Sequence, residues 1–276
     1  LYFIIFLPVV VVLYQLRPQK FRKYILLLAN YAFFYIWSKF FLVYQVITMV
    51  ITYVSSKIID HTTNKKTKKL ILLLAIVINL GVLVILKYTN FLGENIFAIF
   101  HQPFTPVRLI APIGISYYTL QMISYLMDIS SGKIHADHSI VDFAVYASFF
   151  PTLIQGPITR FNEIKDSIHA GNPITYQNLK FGSQRILFGL MKKMIIADRL
   201  DPAVSKIFTS YTQDGLFSLI GAVLCTIQLY MDFSGIVDIC LGSAEIFGIK
   251  LPENFRQPFF AENASDFWRR WHITLG

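Results

Sequence analysis

Charged side chains are scarce in this sequence. They make up 15% of its 276 residues, whereas typical soluble domains contain about 25%. Hydrophobic residues make up 55% of the chain, and phenylalanine alone occurs 25 times. A soluble domain of this length would have to expose large apolar patches to accommodate so many of them. The composition therefore excludes an ordinary soluble fold and favours a protein whose outer faces contact lipid.

Cysteine and several well-known catalytic motifs are also scarce or missing. Only Cys225 and Cys240 occur, both in apolar stretches, and they predict neither a disulfide framework nor a zinc site. The sequence lacks a G-x-S-x-G nucleophile elbow, a phosphate-binding P-loop and an H-E-x-x-H zinc motif. His135 and His138 form a pair in a polar loop, but no third strong ligand accompanies them. We therefore expect no metal site.

Long apolar runs, by contrast, are abundant. A helix that crosses a bilayer needs about 20 mostly apolar residues. Such runs must be helical, because lipid offers no hydrogen-bonding partner to the backbone. The sequence therefore predicts an all-α, multi-pass integral membrane protein, with apolar segments at 1–16, 24–38, 40–56, 70–86, 109–127, 143–159, 215–231 and 233–244.

Basic residues give the chain a formal net charge of +9 and are grouped between the apolar runs. One cluster lies within residues 17–23 and another within 65–69. Such clusters are typical of cytoplasmic loops facing anionic lipid, so the charge indicates membrane lipids as partners and not nucleic acid. Two crossings folded at Ser38 and Lys39 would return both clusters to the same side of the membrane.

The run 143–159 differs from the others because it contains Pro151, Gly156 and Pro157. These residues argue against a straight helix and predict a broken or re-entrant segment. Such backbone is tolerated at membrane depth where it is buried in protein or lines a cavity. We find no internal repeat or low-complexity linker, so we expect one membrane-embedded domain over residues 1–276. Both chain ends look truncated.

Two acidic residues, Asp232 and Asp238, stand within apolar sequence near the end of the chain. Ionisable groups inside a membrane are costly and often functional. They could line a cavity or form a buried ion pair. Alternatively, Ser234 and Gly235 could form a turn between two helices, with Asp232 capping a helix at the water boundary.

The densest group of polar and aromatic side chains lies in the last 26 residues. Asn263 followed by Asp266 resembles a helix-capping arrangement. On the helix that would follow, Asp266 and Arg270 are four residues apart and can pair, and Trp268 and His272 would share one face.

This segment has two interpretations. In the first it is an interfacial helix, with indole rings at headgroup depth, Arg side chains on phosphates and an incidental His272. In the second, His272 is a general base, because imidazole titrates near pH 7. Phe267 and Trp271 would share the neighbouring face of the helix.

The segment NFRQPFFAENASDFWRRWHITL at 254–275 closely resembles the signature of the membrane-bound O-acyltransferase family. The resemblance is strongest to the bacterial branch that contains alginate O-acetylation proteins and other polysaccharide O-acetyltransferases. Further matching segments occur in order and extend the resemblance over most of the chain: PIGISYYTLQMISYLMD at 112–128, SFFPTLIQGPITR at 148–160, FGLMKKMIIADRL at 188–200 and QLYMDFSGIVDICLGSAEIFGIKLPENF at 228–255.

The resemblance implies a fold of broken helices around a funnel through the membrane. It assigns catalysis to His272, which matches the histidine of the W-H-x-[ST]-L motif and would take a proton as a sugar hydroxyl attacks the acyl carbonyl. The family carries a second histidine further downstream, which would lie beyond residue 276. Residues expected to support the active site are Asn254, Asp266, Trp268, Arg270, Trp271 and Asp232.

The expected function is transfer of an acyl group, with acetyl as the first candidate, from a cytoplasmic thioester to hydroxyls of an exported or cell-wall polysaccharide. The donor, acetyl-CoA or an acyl carrier protein thioester, is a substrate, so no permanently bound cofactor is expected. The expected location is the bacterial inner (plasma) membrane. A second periplasmic or membrane-anchored transferase is a further partner by family analogy.

Alternatives remain at this point. D-alanyl transfer to teichoic acid belongs to a more distant branch of the family, and the D-F-S-G and A-D-R-L runs at 232–235 and 197–200 favour the acetyltransferase branch. A transporter or flippase of polysaccharide precursors would use Asp232, Asp238 and the broken segment as a substrate path. Transporters often pair broken helices from repeats, and this sequence has one clear break.

Overall fold

The computed structural model describes residues 2–39, 41–109, 111–112, 114–137, 139–210 and 215–275. Within these ranges the chain is helical and has no strand, apart from one isolated β-bridge between Phe255 and Trp271. The helices are α1 (Leu7–Leu16), α2 (Gln19–Ser38), α3 (Phe41–His61), α4 (Lys65–Ile99), α5 (Ile115–Ser130), α6 (Ile140–Ser148), α7 (Phe161–Ala170), α8 (Tyr176–Leu190), α9 (Asp198–Ser210), α10 (Gly215–Ile246) and α11 (Ala264–Arg270).

Several helices are long and apolar enough to cross a membrane. By length and composition, three helices among the described residues qualify: Leu42–His61 within α3, all of α4, and all of α10. A π-helical turn, Met191–Ala197, joins α8 to α9, and another, Tyr2–Phe6, precedes α1. The prediction of an all-α membrane protein is confirmed.

The first predicted fold-back is present, because α2 ends at Ser38 and α3 begins at Phe41. Helix α4 is longer than the predicted run 70–86. Asn64 starts it by accepting hydrogen bonds from the amides of Lys66 and Thr67, which satisfies two of the free N–H groups of the first turn. Its polar residues beyond position 86 are compatible with the helix, since the side chain of Thr89 bonds to a carbonyl one turn earlier.

The predicted break in the run 143–159 is confirmed. Helix α6 ends at Ser148, and residues 149–160 form turns and irregular backbone. Gly114 packs tightly against this segment: it has a φ of 73°, and an added Cβ would collide with the carbonyl oxygen of Leu153. Its place in the membrane and any cavity it lines stay predictions.

The predicted division of α10 into two segments, 215–231 and 233–244, is wrong. The helix runs without interruption from Gly215 to Ile246, so the interpretation of Ser234 and Gly235 as a turn is also wrong. Asp232 and Asp238 lie on this helix and pair with lysines of the π-helical turn: Asp232 with Lys193, and Asp238 with Lys192. The predicted ion pairs are present, and pairing offsets the cost of charge in an apolar helix, whereas the lining of a cavity by these residues stays a prediction.

The chain forms two compact units. The first unit contains residues 1–19, 155–159 and 170–276, and the second contains 20–154 and 160–169. The expectation of a single domain over 1–276 stays a prediction.

In the second unit an aromatic cluster forms the core, with Tyr125, Phe143, Tyr146 and Phe161 all buried. The ring centroids of Tyr125 and Phe143 are 4.7 Å apart, and those of Tyr146 and Phe161 are 5.0 Å apart. Aromatic pairs at such distances contribute beyond their buried area.

Two buried carboxylates on the helices of this core, Asp128 of α5 and Asp142 of α6, are paired with cations. Asp128 accepts two hydrogen bonds from Arg160, at 2.9 and 2.8 Å. Asp142 lies 2.8 Å from Nζ of Lys23 and 2.7 Å from Nδ1 of His169. These pairs connect α7 and α2 to the helices of the core.

In the first unit α8 and α10 approach each other at two glycine pairs. A Cβ added to Gly182 would lie 2.6 Å from the carbonyl oxygen of Gly242, and one added to Gly189 would lie 2.5 Å from that of Gly235. The glycines of each helix are seven residues apart, so they lie on one face. The two pairs run in opposite chain order, so the helices are antiparallel.

Candidate functional site

Helix α11 ends before the residue that the motif singles out. Its last residue is Arg270, Trp271 is extended, and His272 has a φ of 49°. The predicted shared helical face of Trp268 and His272 is therefore wrong. Trp268 is 65% exposed, and its ring contacts Phe267. Backbone pairing with residues 254–256 stops the helix at this point.

That pairing resembles a very short antiparallel ladder. Phe255 bridges Trp271, and the amide of Arg256 donates to the carbonyl of Arg270 at 3.0 Å. On the other side of His272, the amide of Ile273 donates to the carbonyl of Asn254 at 3.0 Å. The backbone is thus fixed on both sides of the histidine.

Asn254 closes this arrangement with its side chain. Its Oδ1 accepts hydrogen bonds from the amide and the hydroxyl of Thr274, at 3.1 and 2.7 Å. Asn254 is fully buried. We call Asn254 and Thr274, with the backbone pairing between them, the Asn254 clamp. A non-glycine residue in the left-handed region costs on the order of 1 kcal/mol or more and persists where its surroundings determine it. The clamp supplies that constraint for His272.

The broken segment also reaches the clamp within the first unit. The amide of Ile158 donates to Oγ1 of Thr274 at 2.9 Å, and the thiol of Cys240 donates to the carbonyl of Gln155 at 2.9 Å. The backbone of residues 155–159 therefore lies against both the clamp and α10.

The imidazole of His272 is half-buried against Phe233 of α10, with ring centroids 4.9 Å apart. Its Nδ1 is buried and accepts or donates no hydrogen bond within the described ranges. Burial lowers the pKa of His272 from its ordinary value of 6.5, and a contact with its own backbone offsets only part of this effect. The neutral imidazole, which can accept a proton, therefore predominates near pH 7.

An aromatic cluster holds the neighbouring residues in place. Trp271 lies beyond the end of α11, so the prediction that it shares a helical face with Phe267 is wrong, but the two rings stack with their centroids 5.6 Å apart. Trp271 also meets Phe255 edge-on at 5.1 Å, and Tyr230 of α10 meets Phe255 at 5.7 Å. The cluster connects α11, the preceding loop and α10.

The predicted capping of α11 is confirmed. Asn263 accepts a hydrogen bond from the amide of Asp266 at 2.9 Å, and Oδ2 of Asp266 lies 2.9 Å from Nε of Arg270. The hydrogen bond from Arg270 lowers the pKa of Asp266 below its ordinary value, and burial opposes this. Both residues stabilise the short helix. A role in supporting the active site stays a prediction for the six residues singled out from the sequence: Asn254, Asp266, Trp268, Arg270, Trp271 and Asp232.

Asp232 precedes Phe233 and pairs with Lys193, whose Nζ lies 2.6 Å from Oδ1 of Asp232. Lys193 also lies 2.6 Å from Oδ1 of Asp198. The structure thus places Asp232 one residue from the aromatic contact of His272, in an ion pair with the π-helical turn.

Sequence reasoning missed four charged or polar partners in this unit. Arg185 binds both Asp238 and Glu253, and Lys192 binds the second oxygen of Asp238 at 2.7 Å. Thr274 is the partner of Asn254. The available signal was the presence of Arg185 and Lys192 in the apolar stretch before residue 200, which indicates neutralising partners but does not identify them.

No group of three or more His, Cys, Asp or Glu side chains within the described ranges could hold a metal ion. His138, the second member of the predicted pair, lies outside the described residues. His135 contacts a carboxylate instead, with Nδ1 3.2 Å from Oδ1 of Asp60.

Comparison with known proteins identifies the family of this chain. The family model of the membrane-bound O-acyltransferases matches residues 3–275. The chain is 36% identical to the probable alginate O-acetylase AlgI of Pseudomonas aeruginosa, over 98% of this chain and 53% of that protein. It is 34% identical to the peptidoglycan O-acetyltransferase of Helicobacter pylori, over 94% of this chain and 54% of that protein.

Similarity to the teichoic acid branch is less extensive. The chain is 32% identical to the teichoic acid D-alanyltransferase of Bacillus subtilis, over 63% of this chain and 45% of that protein. The chain spans about half the length of the curated relatives it matches. The family model covers almost every residue, and the predicted His272 motif lies within the Asn254 clamp. This chain therefore belongs to the membrane-bound O-acyltransferase family.

Proposed function

We propose that the whole protein is an O-acyltransferase that moves an acyl group, with acetyl as the first candidate, onto hydroxyls of an exported or cell-wall polysaccharide. The observation that carries this proposal is the setting of His272. Its imidazole is half-buried and kept neutral, its Nδ1 has no partner in the described part of the chain, and its backbone is fixed by the Asn254 clamp. The names of the relatives with the longest matches support a polysaccharide acceptor.

The proposed reaction transfers the acyl group from a sulfur atom to an oxygen atom. Neutral His272 takes the proton of an acceptor hydroxyl as the hydroxyl oxygen attacks the carbonyl carbon of a thioester. The C–S bond then breaks, and the imidazolium returns the proton to the leaving thiolate. The products are an O-acyl ester on the glycan and the free thiol of coenzyme A or of an acyl carrier protein, according to which of the two carried the acyl group as the donor thioester. The donor is a substrate, so the residues of the site need to hold no permanent cofactor.

The proposed location is the bacterial inner (plasma) membrane, where a cytoplasmic thioester and an external glycan can meet within one protein. The three apolar helices and the family support a membrane setting. A second periplasmic or membrane-anchored transferase is a proposed partner that would act on the same glycan.

The test compares wild-type whole protein with the His272→Ala variant in cells, at matched amounts in the membrane. We expect acetyl esters on the surface polysaccharide to fall to background, because the base is lost. His101→Ala is the matched control, since His101 is exposed and also has a positive φ, of 51°. It should leave the esters unchanged.

Each other outcome contradicts part of the proposal. Alanyl esters on teichoic acid that depend on His272 would replace acetyl transfer by the D-alanyl alternative. Normal esters in the His272→Ala variant would remove His272 as the base and favour the transport interpretation.

A further inference from the structure

Arg185, on α8 in the first unit, binds two carboxylates at once. Its Nη1 and Nη2 donate to the two carboxylate oxygens of Glu253, both at 2.7 Å. Its Nε and Nη2 also donate to Oδ1 of Asp238, at 3.1 and 3.0 Å. A planar guanidinium can bind two carboxylates at once, with two hydrogen bonds to each. One side chain of α8 therefore joins α10 to the loop that precedes the site.

The charges of this group balance. Arg185 and Lys192 supply two positive charges, and Asp238 and Glu253 supply two negative charges. Lys192 takes the second oxygen of Asp238, so Arg185 is the side chain that connects this pair to Glu253. Loss of Arg185 would leave the carboxylate of Glu253 without the partner that holds it against α8.

Glu253 directly precedes Asn254 in the chain. The carbonyl of Asn254 accepts from the amide of Ile273, and its side chain accepts from Thr274. These two residues immediately follow His272. The contacts therefore run from Arg185 through Glu253 and Asn254 to the backbone of the histidine.

We propose that Arg185 is a positioning residue, an inference that rests on the proposed function. Arg185 sets the position of the His272 backbone, because it holds Glu253 and the Asn254 clamp against α8. Arg185 touches no reacting atom in this assignment. Its effect is on the alignment of the imidazole with the acceptor hydroxyl, and a small misplacement of a catalytic group can cost about 10²-fold in rate.

The experiment measures acyl transfer by the whole protein in membranes, with rates expressed per folded molecule. The Arg185→Gln variant should lose about 10²-fold in kcat while KM for donor and acceptor is unchanged. The Arg185→Lys variant should show a smaller loss of kcat, because lysine keeps the positive charge but cannot form the paired hydrogen bonds of a guanidinium. Lys180→Gln is the matched control: it removes one positive charge from an exposed position of the same helix and should keep the wild-type kcat.

A second variant, at the other end of the same contact, distinguishes a positioning effect of Arg185 from misfolding of the Arg185→Gln variant. Glu253→Ala removes the link to the clamp while the contact between Arg185 and Asp238 remains. It should reproduce the fall in kcat, and the double variant Arg185→Gln, Glu253→Ala should lose no more than either single variant, since both act on one link.

The inference is overturned by a wild-type kcat per folded molecule in either single variant, by multiplicative losses in the double variant, or by an equal loss in Lys180→Gln. A loss of folded protein with kcat unchanged would show a structural role only and would also overturn it. Activity retained in His272→Ala would overturn the proposed function itself, whereas loss there with wild-type rates in Arg185→Gln would overturn only the positioning role.

Discussion

The two compact units of the chain differ in the contacts that join their long helices. In the second unit, aromatic rings fill the core, and buried carboxylates pair with cations near helix ends, as Asp142 does with Lys23. In the first unit, two helices approach through glycine and carry ion pairs along their length, as between Arg185 and Asp238.

The two kinds of contact have different effects, one on the stability of the fold and the other on the position of a loop. Rings and aliphatic side chains stabilise a core through the area that they bury. Ion pairs between helices contribute little net stability, because desolvation of the charges offsets their attraction. Their directional hydrogen bonds can nevertheless hold a loop at one place. In the unit that contains His272, such bonds connect α8 and α10 to the loop that precedes the histidine.

The largest expected effect is the loss of a core ring from the second unit. Phe143 is fully buried, and its ring centroid lies 4.7 Å from that of Tyr125. The Phe143→Ala variant should lower the free energy of unfolding by about 3–5 kcal/mol. Thermal unfolding of the whole protein in detergent, followed by circular dichroism, measures this. Phe91→Ala, at an exposed position of α4, is the control, and equal destabilisation by both would contradict the importance of the cluster.

The next effect tests the glycine contacts of the first unit. A Cβ at Gly189 would meet a backbone oxygen at 2.5 Å, so Gly189→Ala should cost about 1–3 kcal/mol of stability. Gly81 is also helical, in α4, but a Cβ added there would meet nothing within 4 Å. Gly81→Ala should be neutral or stabilise by about 0.5–1 kcal/mol. Shifts of the same sign in the two unfolding curves would refute the close approach of α8 and α10.

A smaller effect concerns the caps of two helices of very different length. Asn64 caps the 35-residue α4, and Asn263 caps the seven-residue α11. Replacement of either by Ala should cost about 1 kcal/mol locally. Hydrogen exchange should then accelerate in the first turn of α4 but across all of α11, because a helix of two turns has no other stable part. Faster exchange that is limited to the first turn in both helices would contradict this expectation.

The smallest expected change is a displacement of the pH profile. Burial lowers the pKa of His272, and a base acts in its unprotonated form, so acyl transfer should persist as pH falls to below 6.5 and be lost at more acidic pH. Phe233→Ala exposes the ring and should move this acidic limb to higher pH. His169→Gln, in the second unit, should leave the limb in place. A limb that does not respond to Phe233→Ala would show that burial is not the cause.

The sequence by itself determined the features that depend on near neighbours. Apolar runs of sufficient length predicted the membrane helices, because lipid leaves the backbone no other way to satisfy its polar groups. Pro151 and Pro157 predicted the break after α6, since proline cannot continue a helical hydrogen-bond ladder. The spacing of Asn263, Asp266 and Arg270 predicted the cap and the ion pair of α11. The resemblance of a short motif predicted His272 as the base, and that role stays a proposal.

Only the tertiary structure decided how that histidine is held. The continuity of α10, which was predicted to be divided, depends on partners such as Lys192, which lies 46 positions away from Asp238. The early end of α11 depends on pairing with Phe255, and the setting of His272 on Asn254 and its contact with Thr274, 20 positions away. Local propensity cannot specify such contacts, because each one exists only after packing has brought distant parts of the chain together.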